Sequence, residues 1–407
     1  MTRSDGYRVG ATLALTLTVA EGARRLLTPR ERPVRPAPVA LADYFSLEEI
    51  DRGRRYARPQ RALGLAAAAI NLAAITVLTL RPPAWLRRAG ERPVAGAAGA
   101  AAVLSVGLSL PALPLTVLGR RRAIAAGLDT QDWPAWARDQ VVAGALQAGF
   151  AAGVGAGVIA ATRRWPQTWW LAAAAGSVGS GAMLAALAPV VLAPIFNDFT
   201  PLPEGETRRD VLALAGAAGV TVGEVYSVDA SRRTTAANAY VTGLGPTKRV
   251  VLYDTLLDRY GRDEIRMVVA HELAHVRFRD VARNLAFAAL TAPAAGLTVQ
   301  RLSWALSRER GTPAALPGLG LAAGVVAVPL GMIGNRLSRA VERRADQYSL
   351  QLAGASDAFV SFERAIALQN LVDLAPPRWA TALMASHPPT DERIGAAVAF
   401  AQSSSAG

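Results

Sequence analysis

The chain of 407 residues holds only three histidines. Two of them, His271 and His275, lie in the run Val-Val-Ala-His-Glu-Leu-Ala-His. A spacing of four puts both imidazoles on one helix face, where they can reach a single ion. Glu272 sits between them, displaced around the helix. From there it can take a proton from a metal-activated water without being a ligand, the position of a general base. Catalytic zinc commonly takes two histidines and one carboxylate and keeps a coordination position open. The segment Asn335-Arg-Leu-Ser-Arg-Ala-Val-Glu-Arg-Arg-Ala-Asp346 offers that carboxylate as Glu342. Asp346, one turn later on the same face, is placed to accept a hydrogen bond from a liganding imidazole and fix its tautomer. Arg339, one turn earlier, is expected to pair with a carboxylate, and Asn335 opens the same supporting face. Arg343 and Arg344 read as a solvated flank. The third histidine, His387, lies in Ser-His-Pro-Pro-Thr-Asp-Glu-Arg. The chemistry these residues propose is hydrolysis of a peptide bond assisted by one Zn2+ per chain.

The elements that must position them are mostly membrane. Hydrophobic residues make up 52% of the chain and charged residues 18%, more apolar than an average soluble domain. Seven stretches approach the roughly 20 apolar residues that cross a bilayer. They run over Val9–Arg24, Ala62–Leu80, Ala95–Leu118, Val141–Thr162, Trp169–Ile195, Leu285–Leu302 and Leu316–Ile333. The first is short and carries Glu21. No cleavable leader stands out, because Glu21 and Arg24 interrupt that run. Gly149, Gly153 and Gly157 recur every four residues, as do Ser177 and Gly181, a spacing that lets helices approach closely in lipid.

Two polar regions interrupt the apolar pattern. Residues 41–61 read as an amphipathic helix in a cytosolic loop. The other region is split, over 196–281 and 335–407, around an apolar hairpin at 282–334, with residues 1–195 carrying the first five spans. Glu264–Arg279 reads as a helix, since Ile265, Val268, Val269, Leu273 and Val276 recur at helical spacing.

The net charge of +13 comes almost wholly from arginine, with Lys248 the sole lysine. The arginines cluster beside apolar segments, so the charge is read as membrane topology rather than nucleic-acid binding. Ten arginines between Arg24 and Arg61, with Arg120, Arg121, Arg122 and Arg138, outnumber those of the opposite loops (Arg81, Arg87, Arg88, Arg92, Arg163, Arg164, Arg301, Arg308 and Arg310). That places the catalytic side in the cytoplasm and the N-terminus outside, in the cell membrane. The absence of cysteine excludes disulfides, thiolate ligands and a cysteine nucleophile.

Taken in order, these motifs resemble the M48 family of membrane zinc metalloproteases, in its CaaX prenyl protease 1 (Ste24-like) branch. Ala193-Pro-Ile-Phe-Asn-Asp-Phe-Thr-Pro-Leu-Pro-Glu-Gly205 is similar to that branch's approach to its soluble domain. Ser231-Arg-Arg-Thr-Thr-Ala-Ala-Asn-Ala-Tyr-Val-Thr-Gly243, followed by Lys248-Arg-Val-Val-Leu-Tyr-Asp-Thr-Leu256, is similar to its strand pair. The resemblance implies His271, His275 and Glu342 as zinc ligands and Glu272 as the catalytic glutamate. It implies that His387, with Arg393 nearby, helps bind the substrate or the tetrahedral intermediate. It also implies that the strand at Asn238, Ala239 and Tyr240 holds the peptide, consistent with β-augmentation on an exposed edge. The substrates it implies are C-terminal CaaX-like or membrane-associated peptides, and seven helices that could enclose a chamber.

The expected protein is therefore a mainly α membrane protein. It has seven transmembrane helices and a split gluzincin-type α/β zinc-protease domain with a small sheet. It meets a peptide or protein substrate and the lipid bilayer, with no nucleic acid and no obligate protein partner. Two other readings differ in their marks. A site-2-type intramembrane protease carries its motif inside an apolar span, whereas Arg262, Asp263, Glu264, Arg266, Arg277, Arg279 and Asp280 surround this one. A non-catalytic receptor with structural zinc would need a fourth protein ligand.

Overall fold

The computed structural model describes residues 3–31, 33–243 and 248–405. Long helices dominate. The membrane portion begins with α1 (Arg3–Leu27), α2 (Leu47–Leu80), the short α3 (Ala84–Arg88), α4 (Pro93–Gly107), α5 (Leu113–Ala125), α6 (Trp133–Arg164), α7 (Trp169–Leu187) and the single turn α8 (Ala193–Phe196). A mixed unit follows: β1 (Phe199–Pro201), α9 (Glu206–Ala217), β2 (Glu224–Val228), β3 (Ala239–Thr242), β4 (Arg249–Tyr253), α10 (Asp254–Arg259) and α11 (Arg262–Arg277). Two long helices, α12 (Asp280–Leu306) and α13 (Leu316–Ala353), form a hairpin. The chain closes with α14 (Ser356–Gln369), α15 (Arg378–Met384) and α16 (Thr390–Ser405).

Among the described residues, six helical stretches are long and apolar enough to cross a membrane. The expected first span is not among them, since Glu21, Arg24 and Arg25 close α1 with charge. It nonetheless lies along α12 in the opposite direction. Thr16 and Thr298 share a buried hydrogen bond of 2.8 Å, and the carbonyl of Leu27 accepts Arg283 Nη1 at 2.6 Å.

Two expectations about the membrane portion need correction. The polar region at 41–61 is not a helix of its own. Ser46 caps α2 in a reciprocal box with Glu49, and the helix then runs unbroken from Leu47 to Leu80 through Pro59. Proline leaves the carbonyl four residues back without its donor, and Arg122 Nη2 supplies one to Arg55 O at 3.1 Å. The expected span at 95–118 falls within one apolar helical stretch, Pro93–Ala125, which a turn at Leu110–Ala112 divides into α4 and α5. The glycine stripe of α6 is open: a Cβ at Gly149, Gly153 or Gly157 would meet nothing within 4 Å. The close contact falls instead on Gly155, where a Cβ would stand 2.5 Å from Ala101 Cβ and 2.9 Å from Ala97 O. That glycine lets α6 seat on α4.

The strands form one sheet in the order β1-β2-β4-β3, with β2 and β4 parallel and the outer pairs antiparallel. β3 is an edge strand. The sheet packs on α11 through Val225, Val250, Leu252, Ile265, Val269 and Leu273, all buried. This core exists because β4 carries the apolar run Val250-Val251-Leu252 and β2 buries Val225 and Val228, while α11 buries one apolar face. The start of α11 is fixed by Glu264, whose Oε2 accepts the Gly261 N–H at 2.8 Å.

The loops sort to two ends. Residues near 49–61 meet the C-terminal helices through Arg61–Asp373 and Arg364–Glu49 ion pairs of 3.0 and 2.9 Å. The start of α6 meets the mixed unit through an Arg233–Asp139 pair of 3.0 Å. At the other end the α2–α4, α6–α7 and α12–α13 connections gather, with Arg87 at 3.4 Å from Glu309 and Arg163 donating to Gly311 O at 3.5 Å.

Candidate metal centre

The metal-binding motif sits on α11, which ends where Arg279 adopts a left-handed conformation (φ 55°). That break turns the chain from the soluble helix into α12. α13 crosses α11 and brings Glu342 and Asp346 to it. The two imidazoles converge, with His271 Nε2 and His275 Nε2 3.2 Å apart. Glu342 Oε2 is 3.2 Å from His271 Nε2, and its Oε1 is 3.7 Å from His275 Nε2. One donor atom from each of the three residues lies within 4.8 Å of the others.

These residues fit a metal ion on two observations. Glu342 Oε2 is buried and accepts no well-aligned hydrogen bond, although His387 Nδ1 stands 3.0 Å away. A buried carboxylate oxygen left in that state is costly without a cation. The spacing also matches. Ligands about 2.05 Å from a tetrahedral zinc stand about 3.3 Å from one another, close to the separations found.

The outer nitrogens of the imidazoles are held by carboxylates. Asp346 Oδ1 is 2.9 Å from His271 Nδ1, close to it but off the hydrogen-bond line. Asp280 Oδ2 is 3.0 Å from His275 Nδ1. A carboxylate beside each Nδ1 favours the proton there and turns both Nε2 lone pairs inward. Each carboxylate is backed by a guanidinium. Arg393 donates to Asp346 from Nε at 3.0 Å and Nη2 at 2.6 Å, and its Nη1 pairs with the buried Glu363 at 2.6 Å. Arg344 pairs with Asp280 Oδ1, and its guanidinium lies 4.1 Å from the Phe278 ring.

Glu272 is half-buried beside the ligands. Burial pushes its carboxyl above the ordinary glutamate range, while His271 and His275 pull the other way. His387 stands on the solvent side, 62% exposed.

Comparison with known proteins agrees with this geometry. Residues 201–401 match Peptidase family M48, and residues 30–198 match the CAAX prenyl protease N-terminal domain, described as five membrane helices. The uncharacterized metalloprotease YhfN of Bacillus subtilis is 32% identical over 301 residues, covering 72% of this chain and 71% of that protein. The chain belongs to peptidase family M48. It is a multi-pass membrane metalloprotease of the CAAX prenyl protease family. The CAAX prenyl protease 1 homolog of Arabidopsis thaliana is 35% identical over 220 residues, about half (51%) of each chain. The crystal structure of S. mikatae Ste24p superposes with a TM-score of 0.79 over 97% of this chain and 98% of that one. Its sequence identity is 21%, so that likeness bears on the fold.

Within this M48 protease the structure gathers some expected site residues and separates others. His271, His275, Glu342, Glu272, Asp346 and His387 meet. Arg393 does not reach toward a substrate: its guanidinium lies behind His271, committed to Asp346 and Glu363. Arg339 was expected to pair with a carboxylate, yet it donates to the carbonyls of Thr381 and Ala385. Asn335 Nδ2 donates to Leu383 O at 3.0 Å. Both residues thus hold α15 and the turn leading to His387, not the metal ligands. Arg344 is not solvated but buried against Asp280, whereas Arg343 pairs with Glu392 at a half-exposed site.

Asn238 and Ala239 enter the edge strand, and Asn238 Oδ1 accepts the Ala239 N–H at 2.9 Å. Asn238 O accepts the Tyr253 N–H at 3.0 Å. Alternation along an antiparallel strand then turns the backbone groups of Asn238 and Tyr240 toward β4 and those of Ala239 and Val241 to the open edge. The segment leading to Asn238 is pinned by the α5–α6 connection. Thr130 N–H donates to Arg233 O at 3.1 Å, and Thr235 N–H to Leu128 O at 3.1 Å.

Asp280, Arg344 and Glu363 were missed from sequence. Asp280 had a faint signal, a carboxylate just past the motif helix. Glu363 had none, because α14 is an ordinary amphipathic helix in sequence.

Proposed function

We propose that this M48 protease is a zinc endopeptidase with Glu272 as general base. The observation that carries the reading is the meeting of His271, His275 and Glu342 from two distant helices, with an unliganded glutamate beside them. Zinc, when bound, supplies a Lewis acid that polarises the scissile carbonyl and acidifies water. Glu272 would receive the water's proton and pass it to the leaving amine. Its half-buried setting, which favours the neutral form, suits a group that must hold and then release that proton. His387, exposed at the mouth of the site, would donate to the developing oxyanion, a contribution of about 100- to 1,000-fold in rate. An extended peptide would add to the edge of β3, meeting the outward groups at Ala239 and Val241.

The relatives' name suggests C-terminal CaaX-like or membrane-associated peptides as substrates. The apolar cavity lined by α2, α4, α6, α7, α12 and α13 is compatible with an apolar substrate tail. We place the soluble unit in the cytoplasm, with α1 as a seventh crossing that ends on that side. The receptor reading finds no support in a fourth buried ligand among the described residues. The site-2 reading is disfavoured because the motif helix α11 is none of the apolar helices.

The test is purified Glu272→Gln protein compared with the parent for zinc content and cleavage of casein or a prenylated CaaX peptide. Full zinc with cleavage reduced about 100-fold or more is expected for loss of a general base. Retained cleavage would remove Glu272 from its role.

A further inference from the structure

Both supports of the imidazoles are touched by the chain that leaves α1. The carbonyl of Leu27, the last residue of α1, accepts Arg283 Nη1 at 2.6 Å. Arg283 Nε in turn donates to Asp280 Oδ1 at 3.2 Å, on the carboxylate whose other oxygen faces His275. Further along, the Val34 N–H donates to Gln347 Oε1 at 3.1 Å, on the residue next to Asp346. The Ala37 N–H donates to Gly395 O at 2.9 Å, two residues past Arg393. The approach there demands glycine, since a Cβ on residue 395 would stand 2.3 Å from Ala37 O. The segment 33–38 holds Pro33, Pro36 and Pro38, which restrict it before it is laid down. The cleft beneath it is lined by Asp346 and Arg393 themselves.

We propose that the end of α1 and the proline-rich strap at 33–38 form a clamp on the carboxylate partners of both imidazoles. Arg283 is its positioning residue and Gly395 its contact point. Metal retention then depends on chain that contributes no ligand. Arg283 and Arg344 both hold Oδ1 of Asp280, so Oδ2 stays aimed at His275. The strap holds α13 and α16 at Gln347 and Gly395, so Asp346 and Arg393 keep their two-point contact behind His271. The inference rests on the zinc ligand set proposed above.

Full-length Arg283→Gln and Gly395→Ala proteins test it, with Gly216→Ala as control, since a Cβ there meets nothing within 4 Å. Alanine in a helix is the better helix former, so Gly395→Ala should not weaken α16 itself. The readouts are the rate of zinc loss to excess 1,10-phenanthroline, the visible spectrum of the cobalt-substituted protein, and the melting temperature of the metal-free protein. Loss of an outer partner typically weakens metal holding by about 10- to 100-fold. We expect zinc loss about tenfold faster in both test variants, an altered cobalt spectrum, and unchanged melting of the metal-free chains. Parent-like release and spectra from metal-loaded variants would overturn the clamp alone. So would a fall in metal-free melting that accounts for the faster loss, since that marks a purely structural contact. A parent chain that takes up no zinc, or a His271→Ala chain that takes up as much, overturns the ligand set and the clamp with it.

Discussion

Asp346 stands 2.9 Å from His271 Nδ1 and is clasped on its other side by Arg393. This relationship sets the polarity of the whole site. A carboxylate at Nδ1 leaves the Nε2 lone pair for the metal, and the guanidinium keeps that carboxylate charged and still. Removing it frees the imidazole to rotate and change tautomer. Asp346→Ala is expected to lower zinc affinity about 10- to 100-fold, read by competition with a chromophoric chelator. An affinity equal to the parent's would show that Asp346 does not orient His271.

Metal uptake should release protons. Burial would lower the pKa of His271, but Asp346 and Glu342 outweigh it and raise the metal-free value to about 10. A ligand must be deprotonated to bind. Below that pKa the metal therefore displaces a proton, and apparent affinity should fall about tenfold for each unit of acidification per proton displaced. Above pH 10 the dependence on this group should vanish. Calorimetry in buffers of different ionisation enthalpy counts the protons. Uptake without proton release between pH 6 and 8 contradicts the electrostatics described.

The open edge of β3 gives a separate prediction. Val241 turns its N–H away from β4, so Val241→Pro deletes an outward donor and spares the ladder. If the peptide pairs there, KM should rise by about threefold to tenfold, the worth of one net hydrogen bond, with kcat little changed. Steady-state kinetics on a peptide substrate decide it, and an unchanged KM would move the substrate off this edge.

The glycines of α6 should not be equivalent. Gly155→Val must push Ala101 and Ala97 apart, an overpacking cost of about 1–3 kcal/mol. Gly153→Val faces open space and should leave the melting temperature in detergent near the parent's. Equal effects at the two positions would mean that α6 does not seat on α4 as described.

Much of the site was legible because its logic is local. The two imidazoles share a face by spacing, Glu272 is displaced from it by the same geometry, and Asp346 follows Glu342 by one turn. Composition and hydropathy likewise marked the helices that cross. Other features were not written locally. A period of four flagged Gly149, Gly153 and Gly157, yet the neighbour that matters is on α4 and meets Gly155. Arg344 looked like a solvated charge because its partner, Asp280, lies on a helix more than sixty residues earlier. Arg393 was expected beside His387 among the catalytic groups, yet its guanidinium turns inward to Asp346 and Glu363.

The sequence by itself therefore determined the candidate ligand set, the helical frames that carry it and the membrane character of the chain. Helical periodicity and residue chemistry act over one or two turns, and that range is readable in one dimension. Only the tertiary structure decided which carboxylate serves which imidazole, which guanidinium backs it and which strand edge stays open. Those pairings depend on how α11, α13, α14 and α16 cross, and crossings are set by side chains far apart along the chain.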